Sequence, residues 1–417
     1  MVLSAAVISR DTCVARDASD PTSAWRDLFV IPDGVIYLDG NSLGPLPRAA
    51  AATLRQTIEQ EWGQDLIKSW NSAGWFDLPL RLGDRIGTLL GAAPGQTVVS
   101  DTTSINLYKA VHAAIGLRPG RDVVIAEAAS FPTDLYILEG VMQSAGRPMQ
   151  RRLVGVDGPS LASVLDERVA AVVLSHVDYR SGALLDIESV TRQVHDAGAL
   201  VIWDLCHSAG VIEIEFDRHE IDFAIGCTYK YLNGGPGSPA YIAVATRHQA
   251  CARNPLSGWW GHAAPFAFDR DFRPDAGIKS FLCGTPPIIS LRGVDAALDT
   301  LHGIEVKAMR EKSLALTDLF MARVTALLPG LEIVTPRPQA QRGSQVAIAF
   351  EHGYAVVQAM IERGVIGDFR APDIMRFGFA PLYLRYQDVW DAADILSQSV
   401  AAEVWRDPRY NQRLAVT

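Results

Sequence analysis

DFAIGCTYKYLNGGPG, Asp222 to Gly237, sets one lysine, Lys230, between a short apolar strand and a glycine-rich turn. An amine acts as a covalent nucleophile only while unprotonated, and desolvation or nearby cationic character lowers a lysine pKa toward that state. A lysine that follows a strand is more often a solvated loop residue, so Lys230 acquires meaning only through partners elsewhere in the chain.

The first partner lies in ALVIWDLCHSAG, Ala199 to Gly210, an apolar strand that ends on Asp204 with His207 three residues later. Ligands of open α/β sheets bind beyond the carboxyl ends of the strands. An aspartate placed there can keep a pyridine nitrogen protonated, which makes the ring an electron sink. Read singly, Asp204 caps the following turn and His207 packs beside it. Read with Lys230 at the end of a later strand, the pair implies pyridoxal phosphate held by Lys230.

Around these segments, short apolar runs alternate with amphipathic ones. Asp122 to Ala126, Ala170 to Ser175, Leu200 to Asp204, Asp222 to Cys227 and Ala240 to Ala245 read as strands, and Asp134 to Ser144 and Ile187 to Ala197 as helices. The alternation predicts an α/β fold with a mostly parallel sheet covered by helices. After Pro286-Pro287 the pattern predicts one long helical stretch, about Ser290 to Leu328, leading into a small α+β domain. Its strands are expected at Leu331 to Thr335, Ser344 to Phe350, Val365 to Asp368 and Ile374 to Phe379, and its helices near Tyr354 to Arg363 and Asp388 to Val404. Three regions follow: 1–40, an N-terminal segment; 41–290, the large domain; and 291–417, a linking helix and the small domain.

Composition narrows the function classes. The chain has 417 residues, 48% of them hydrophobic, enough to bury one large core and a smaller one. A net charge of -9 argues against nucleic-acid and anionic-membrane partners, which need basic surface, and favours a small-molecule substrate. The five cysteines (Cys13, Cys206, Cys227, Cys251, Cys283) have no short paired spacing, so neither a metal site nor a disulfide framework is indicated. The apolar start Met1 to Ile8 lacks a basic leader region, and no apolar run reaches the ~18 residues of a membrane span. A cytoplasmic protein with a loose start is expected.

Two further sites follow from residue types. Thr103 and Ser104, at the head of the helical pattern Ile105 to Ile115, supply hydroxyls and backbone N–H groups for a phosphate, although serine and threonine are also common helix caps. Arg376 interrupts the apolar run Ile374 to Phe379; its guanidinium fork suits a carboxylate in bidentate geometry, or it faces water from an edge strand.

Seven stretches occur in the order typical of one family: YLDGNSLGPLP (Tyr37 to Pro47), SWNSAGWFDLP (Ser69 to Pro79), FPTDLY (Phe131 to Tyr136), DLCHSAG (Asp204 to Gly210), CTYKYLNGGPG (Cys227 to Gly237), GWWGH (Gly258 to His262) and RFGFAPLY (Arg376 to Tyr383). Together they cover nearly the whole chain, which resembles the kynureninases. The resemblance implies the aminotransferase-like fold type I, with the N-terminal residues joining the small domain, and a homodimer with shared active sites. It also implies pyridoxal phosphate-dependent hydrolysis of L-kynurenine to anthranilate and L-alanine.

For the cofactor, the resemblance implies contacts from Thr103, Ser104, His207 and Thr285, stacking by Phe131, Asp134 beside the ring, a phosphate bond from Tyr229 and closure by Trp259. For the substrate, it implies Arg376 on the α-carboxylate and Ser42, Trp260 and His262 in the aryl-binding wall, with Trp62 and Trp70 nearby. Lys230, Asp204 and Tyr229 would carry the chemistry. Animal-type members have a serine-asparagine pair where this chain has Gly284-Thr285, so the choice between kynurenine and 3-hydroxykynurenine stays open. Other readings are a cysteine desulfurase or selenocysteine lyase of the same fold, or a non-catalytic metabolite-binding homologue. A desulfurase needs a nucleophilic cysteine in the C-terminal domain, and no cysteine follows Cys283.

Overall fold

The structure, a computed structural model, describes residues 9–155 and 158–414; the start Met1 to Ile8 lies outside them. The chain forms two compact units. The larger comprises Ala49–Tyr179 and Leu184–Leu301, and the smaller takes the chain up to Arg48, Arg180–Ala183 and the chain from His302 onward.

Seven strands form the sheet of the larger unit: β1 (Thr97–Val99), β2 (Val123–Glu127), β3 (Gln150–Val154), β4 (Val169–Ser175), β5 (Leu200–Asp204), β6 (Phe223–Gly226) and β7 (Tyr241–Val244). Their order is β1-β7-β6-β5-β4-β2-β3, parallel from β6 to β3, with β7 antiparallel to both of its neighbours. All seven residues of β4 are buried, the mark of a strand covered on both faces. Helix α1 (Thr103–Gly116) buries Leu107, Ala110, Val111 and Ala114 in one core with Val173, Ile202 and Ile225 of the sheet. Each fully buried aliphatic side chain contributes about 1.5–3 kcal/mol.

The sequence pattern does not announce β1 or β3. β1 has only three residues, and β3 is an edge strand whose exposed Arg151 and partly exposed Arg152 break the apolar run and also discourage edge pairing.

The single long helix expected from Ser290 to Leu328 is in fact two, Ile288–Asp299 and Val306–Leu327. Gly303, at φ +74°, turns the chain between them, and the division between the units falls at Leu301 and His302. Hydrophobic periodicity persists across this turn, so the pattern alone joined the two helices.

In the smaller unit, β8 (Glu332–Ile333), β9 (Gln345–Ala349), β10 (Asp368–Arg370) and β11 (Ile374–Gly378) form an antiparallel sheet in the order β8-β9-β11-β10. The strand expected at Val365 to Asp368 divides at Gly367: Val365–Ile366 pairs in parallel with Ile36–Tyr37, and Asp368 opens β10. That pairing draws the YLDGNS stretch to the head of β10.

Asp222, just before β6, shows what holds the amino end of the larger sheet. Its buried carboxylate accepts from His195 Nε2 (2.8 Å), His248 Nε2 (2.7 Å), Arg247 Nη2 (2.7 Å) and the Val201 N–H (2.8 Å). Burial opposes its charge, but the bonds from His195, His248 and Val201 outweigh that and hold Asp222 well below the usual carboxylate range. A lowered folded-state pKa stabilises above the unfolded value of ~3.9, and the contribution fades as pH falls below it. Asp222→Asn should therefore cost about 3–5 kcal/mol at neutral pH. Thermal melts should show the gap between variant and parent narrowing below about pH 4.

Candidate active site

In the larger unit the sequence-distant candidates meet because β5 and β6 are parallel neighbours, with Asp204 opposite Ile225. The loop from Cys227 to Ala240 starts where β6 ends, so Lys230 and Asp204 share the carboxyl end of the sheet. Lys230 Nζ lies 2.9 Å from His207 Nε2. Thr228 staples the loop: its Oγ1 donates to the Pro239 carbonyl (2.6 Å), and its carbonyl accepts from the Gly234 N–H (2.8 Å). At Gly226 a Cβ would collide with the Tyr241 hydroxyl, so the last position of β6 admits only glycine.

Asp204 is buried, and its Oδ1 accepts from the Cys206 N–H at 2.8 Å. Asp134, also buried, is pushed up to about 8 by burial and by the charge of Asp204, against the pull of Lys230. Near pH 7 Asp134 therefore holds its proton. Tyr229 is half-buried, and burial raises its phenol so that it remains a hydrogen-bond donor.

The hydroxyl that caps α1 is that of Thr102, which accepts from the Ile105 N–H. Thr103 and Ser104 occupy the first turn beyond it, so neither is used as the cap. Thr103 Oγ1 lies 3.8 Å from Cys206 Sγ, beside the Asp204 strand end. Sequence reasoning missed Lys109, which is fully buried and bonds Asp101 ahead of that turn as well as the Phe281 carbonyl (2.7 Å). It also missed Ser130, next to Phe131, whose buried Oγ has no hydrogen-bond partner among the described residues. Phe131 keeps 48% of its surface exposed and meets Tyr179 edge-on at 5.2 Å.

The aryl-wall candidates separate. Trp260 is 2% exposed and packs against Trp70 (5.1 Å) and Phe76 (5.0 Å), so within this chain it is core, not an open wall. Trp259 is 42% exposed and lines an open recess of about 540 Å³ with His262, Pro265 and Phe268. Gly284 and Thr285 are exposed and Trp62 is more than half exposed.

The remaining candidates lie in the smaller unit. Arg376 is buried on β11 directly across from Asp368 on β10. Its Nε donates to Asp368 Oδ1 (2.8 Å), and its Nη2 donates to Asp368 Oδ2 and to Ser42 Oγ (2.9 Å). Ser42 Oγ donates to Asp368 Oδ2 at 2.7 Å, as does Arg370 Nη2 at 2.7 Å. Burial disfavours the Asp368 charge, but Arg376 outweighs it and holds the carboxyl below the usual range. Thus the arginine faces a carboxylate of its own chain rather than water, and Asp368 was visible in the sequence only as the end of an expected strand.

Comparisons with known proteins agree with this architecture. A cysteine desulfurase from Escherichia coli superposes with a TM-score of 0.75 at 18% identity, covering 91% of this chain and 98% of that one. The protein C-DES, solved as a mutant with glycine covalently linked to its PLP cofactor, gives 0.76 at 16% identity over 89% and 98%. Both superpositions show one architecture, that of fold type I. A model of the kynureninase C-terminal domain matches residues 309–396. Kynureninase from Burkholderia pseudomallei is 51% identical over 415 residues, 98% of this chain and 100% of that protein. The chain belongs to the kynureninase family.

The protonated state of Asp134 can be tested by cofactor binding. With Asp204 against the ring nitrogen, as the family resemblance implies, Asp204→Asn should weaken pyridoxal phosphate binding at pH 7 by about tenfold or more, the worth of one pKa unit or more. Asp134→Asn replaces a carboxyl already neutral there and should change it less than about threefold. Equilibrium dialysis of both variants measures the difference; equal losses would mean that Asp134 is ionised at pH 7.

Proposed function

We infer that the chain hydrolyses L-kynurenine to anthranilate and L-alanine by cleaving the bond between Cβ and Cγ, with pyridoxal phosphate as cofactor. The observation that carries this reading is the 51% identity to a kynureninase over 98% of the chain. The residues present suit the cofactor: a lysine amine beside a histidine, a buried carboxylate at a strand end, hydroxyls in the first turn of α1, and the unbonded Ser130 Oγ.

Pyridoxal phosphate, when bound, supplies an electron sink for the α-carbon of an amino acid. Lys230 would hold it and, once released by the substrate amine, would take the α-proton, with His207 2.9 Å away to orient it. Asp204, buried at the strand end, would hold a proton on the ring nitrogen. Thr103, Ser104 and Tyr229 bind the phosphate, and Tyr229, kept protonated by burial, returns a proton to the carbon left by anthranilate. Phe131 offers its exposed ring for stacking. Arg376 and Ser42 take the α-carboxylate. Positioned acid–base groups of this kind contribute about 10²–10⁴-fold each.

The working unit in this reading is a cytoplasmic homodimer in which Trp259 and Thr285, both exposed here, serve the partner's site. His262 lies beside Trp259 along the same recess. Trp260, being core, would act by supporting Trp259, which it meets edge-on at 4.7 Å. Competing L-kynurenine against 3-hydroxy-L-kynurenine in one assay measures which ring the Gly284-Thr285 segment prefers.

Two results are expected. Lys230→Ala should fold and bind pyridoxal phosphate yet produce no anthranilate fluorescence, and borohydride reduction of the parent should fix a pyridoxyl label on Lys230 alone. Label on another lysine, or turnover by the variant, refutes the role. Mixing Lys230→Ala with an inactive Trp259 and Thr285 double variant, under conditions of subunit exchange, should restore about a quarter of parent activity, since roughly half the dimers then hold one sound site of two. Exchange without recovery would show that each chain completes its own site.

A further inference from the structure

Asp39 belongs to the YLDGNS stretch and comes to lie beside the Arg376 network. Its backbone carbonyl accepts from the Ser42 N–H (2.9 Å), and its carboxyl neighbours the Asp368 carboxylate to which Ser42 Oγ donates. Two carboxyl groups can bond each other only if they share a proton, because an ionised carboxylate has acceptors and no donor. The Asp39 oxygen Oδ1 is buried with no donor among the described residues, a costly position for a charged oxygen. The approach is enforced by the backbone: at Gly40 a Cβ would collide with the Tyr383 hydroxyl, and at Gly378 with the Asn41 amide.

We propose that Asp39 sets the affinity of Arg376 for the substrate carboxylate by sharing one proton with Asp368, so that losing this proton adds a second anion that competes for the same guanidinium. The inference rests on the reading that Arg376 holds the α-carboxylate. The charged and titratable groups around Asp39 are Asp368 and Arg370 on β10, Arg376 on β11, Tyr383 beyond it, and Tyr37 on its own segment, whose phenol burial keeps protonated. Burial and Asp368 push Asp39 up to about 7, against the pull of Arg376 and Ser42, so it ionises as pH rises through the neutral range. Carboxylate binding should weaken over that interval. A neighbouring charge commonly shifts such equilibria by ten- to a thousandfold.

The test measures kcat and KM for L-kynurenine from about pH 6 to about pH 9 in the parent holoenzyme, Asp39→Asn, Asp39→Ser and Arg376→Leu. Relative to Asp39→Asn, the parent KM should rise about tenfold or more across the range, with no such divergence in kcat. Asp39→Ser, which also cannot ionise, should follow Asp39→Asn and carries the comparison if the amide does not fold. A parent KM profile parallel to both variants, or a divergence confined to kcat, overturns the role of Asp39. Arg376→Leu separates the two readings: an unchanged KM removes Arg376 from carboxylate recognition, whereas a raised KM alongside parallel profiles sinks only the inference about Asp39.

Discussion

Asp134, Asp204 and Lys230 are three ionisable groups at the carboxyl end of one sheet, and they cannot all be charged there at small cost. An unpaired buried charge costs several kcal/mol, so the surroundings must supply donors or remove charge. Both occur: the Cys206 N–H and the His207 imidazole meet Asp204 and Lys230, while Asp134 holds its proton into the neutral range. The stapled loop and the glycine at the end of β6 serve to bring Lys230 to this end of the sheet.

The two ends of the same sheet use aspartate in opposite ways. Asp222, before β6, is saturated by two imidazoles, a guanidinium and a backbone N–H, so its charge is stable and its place fixed. Asp204, at the end of the adjacent β5, has only one such bond among those of its side chain described above, which leaves acceptor capacity for a ligand. Stability is invested at the amino end of the strands and chemistry at the carboxyl end.

In the smaller unit the electrostatic device recurs with the sign of the ligand reversed. There a buried guanidinium is braced by Asp368, and Asp39 sits close enough to share the proton that keeps the two carboxyls compatible. Bracing restricts the arginine to one rotamer, so little side-chain entropy remains to be lost when a carboxylate arrives.

How far the chain could be read follows from the range of each interaction. Local pattern was enough for the strands around Asp204 and Lys230, since an apolar run ending on a charged residue shows in a few adjacent letters, and the ordered motifs were enough for the family. The edge strand with Arg151 and Arg152 and the turn at Gly303 were not legible, because exposure at a sheet edge and a break between two amphipathic helices are decided by what packs against them. The burial of Trp260 and the pairing of Asp368 with Arg376 across β10 and β11 likewise depend on register and contact. Residue types determined which chemistry this protein could carry; tertiary structure decided which side chains meet, and therefore which of the buried acids keep their protons.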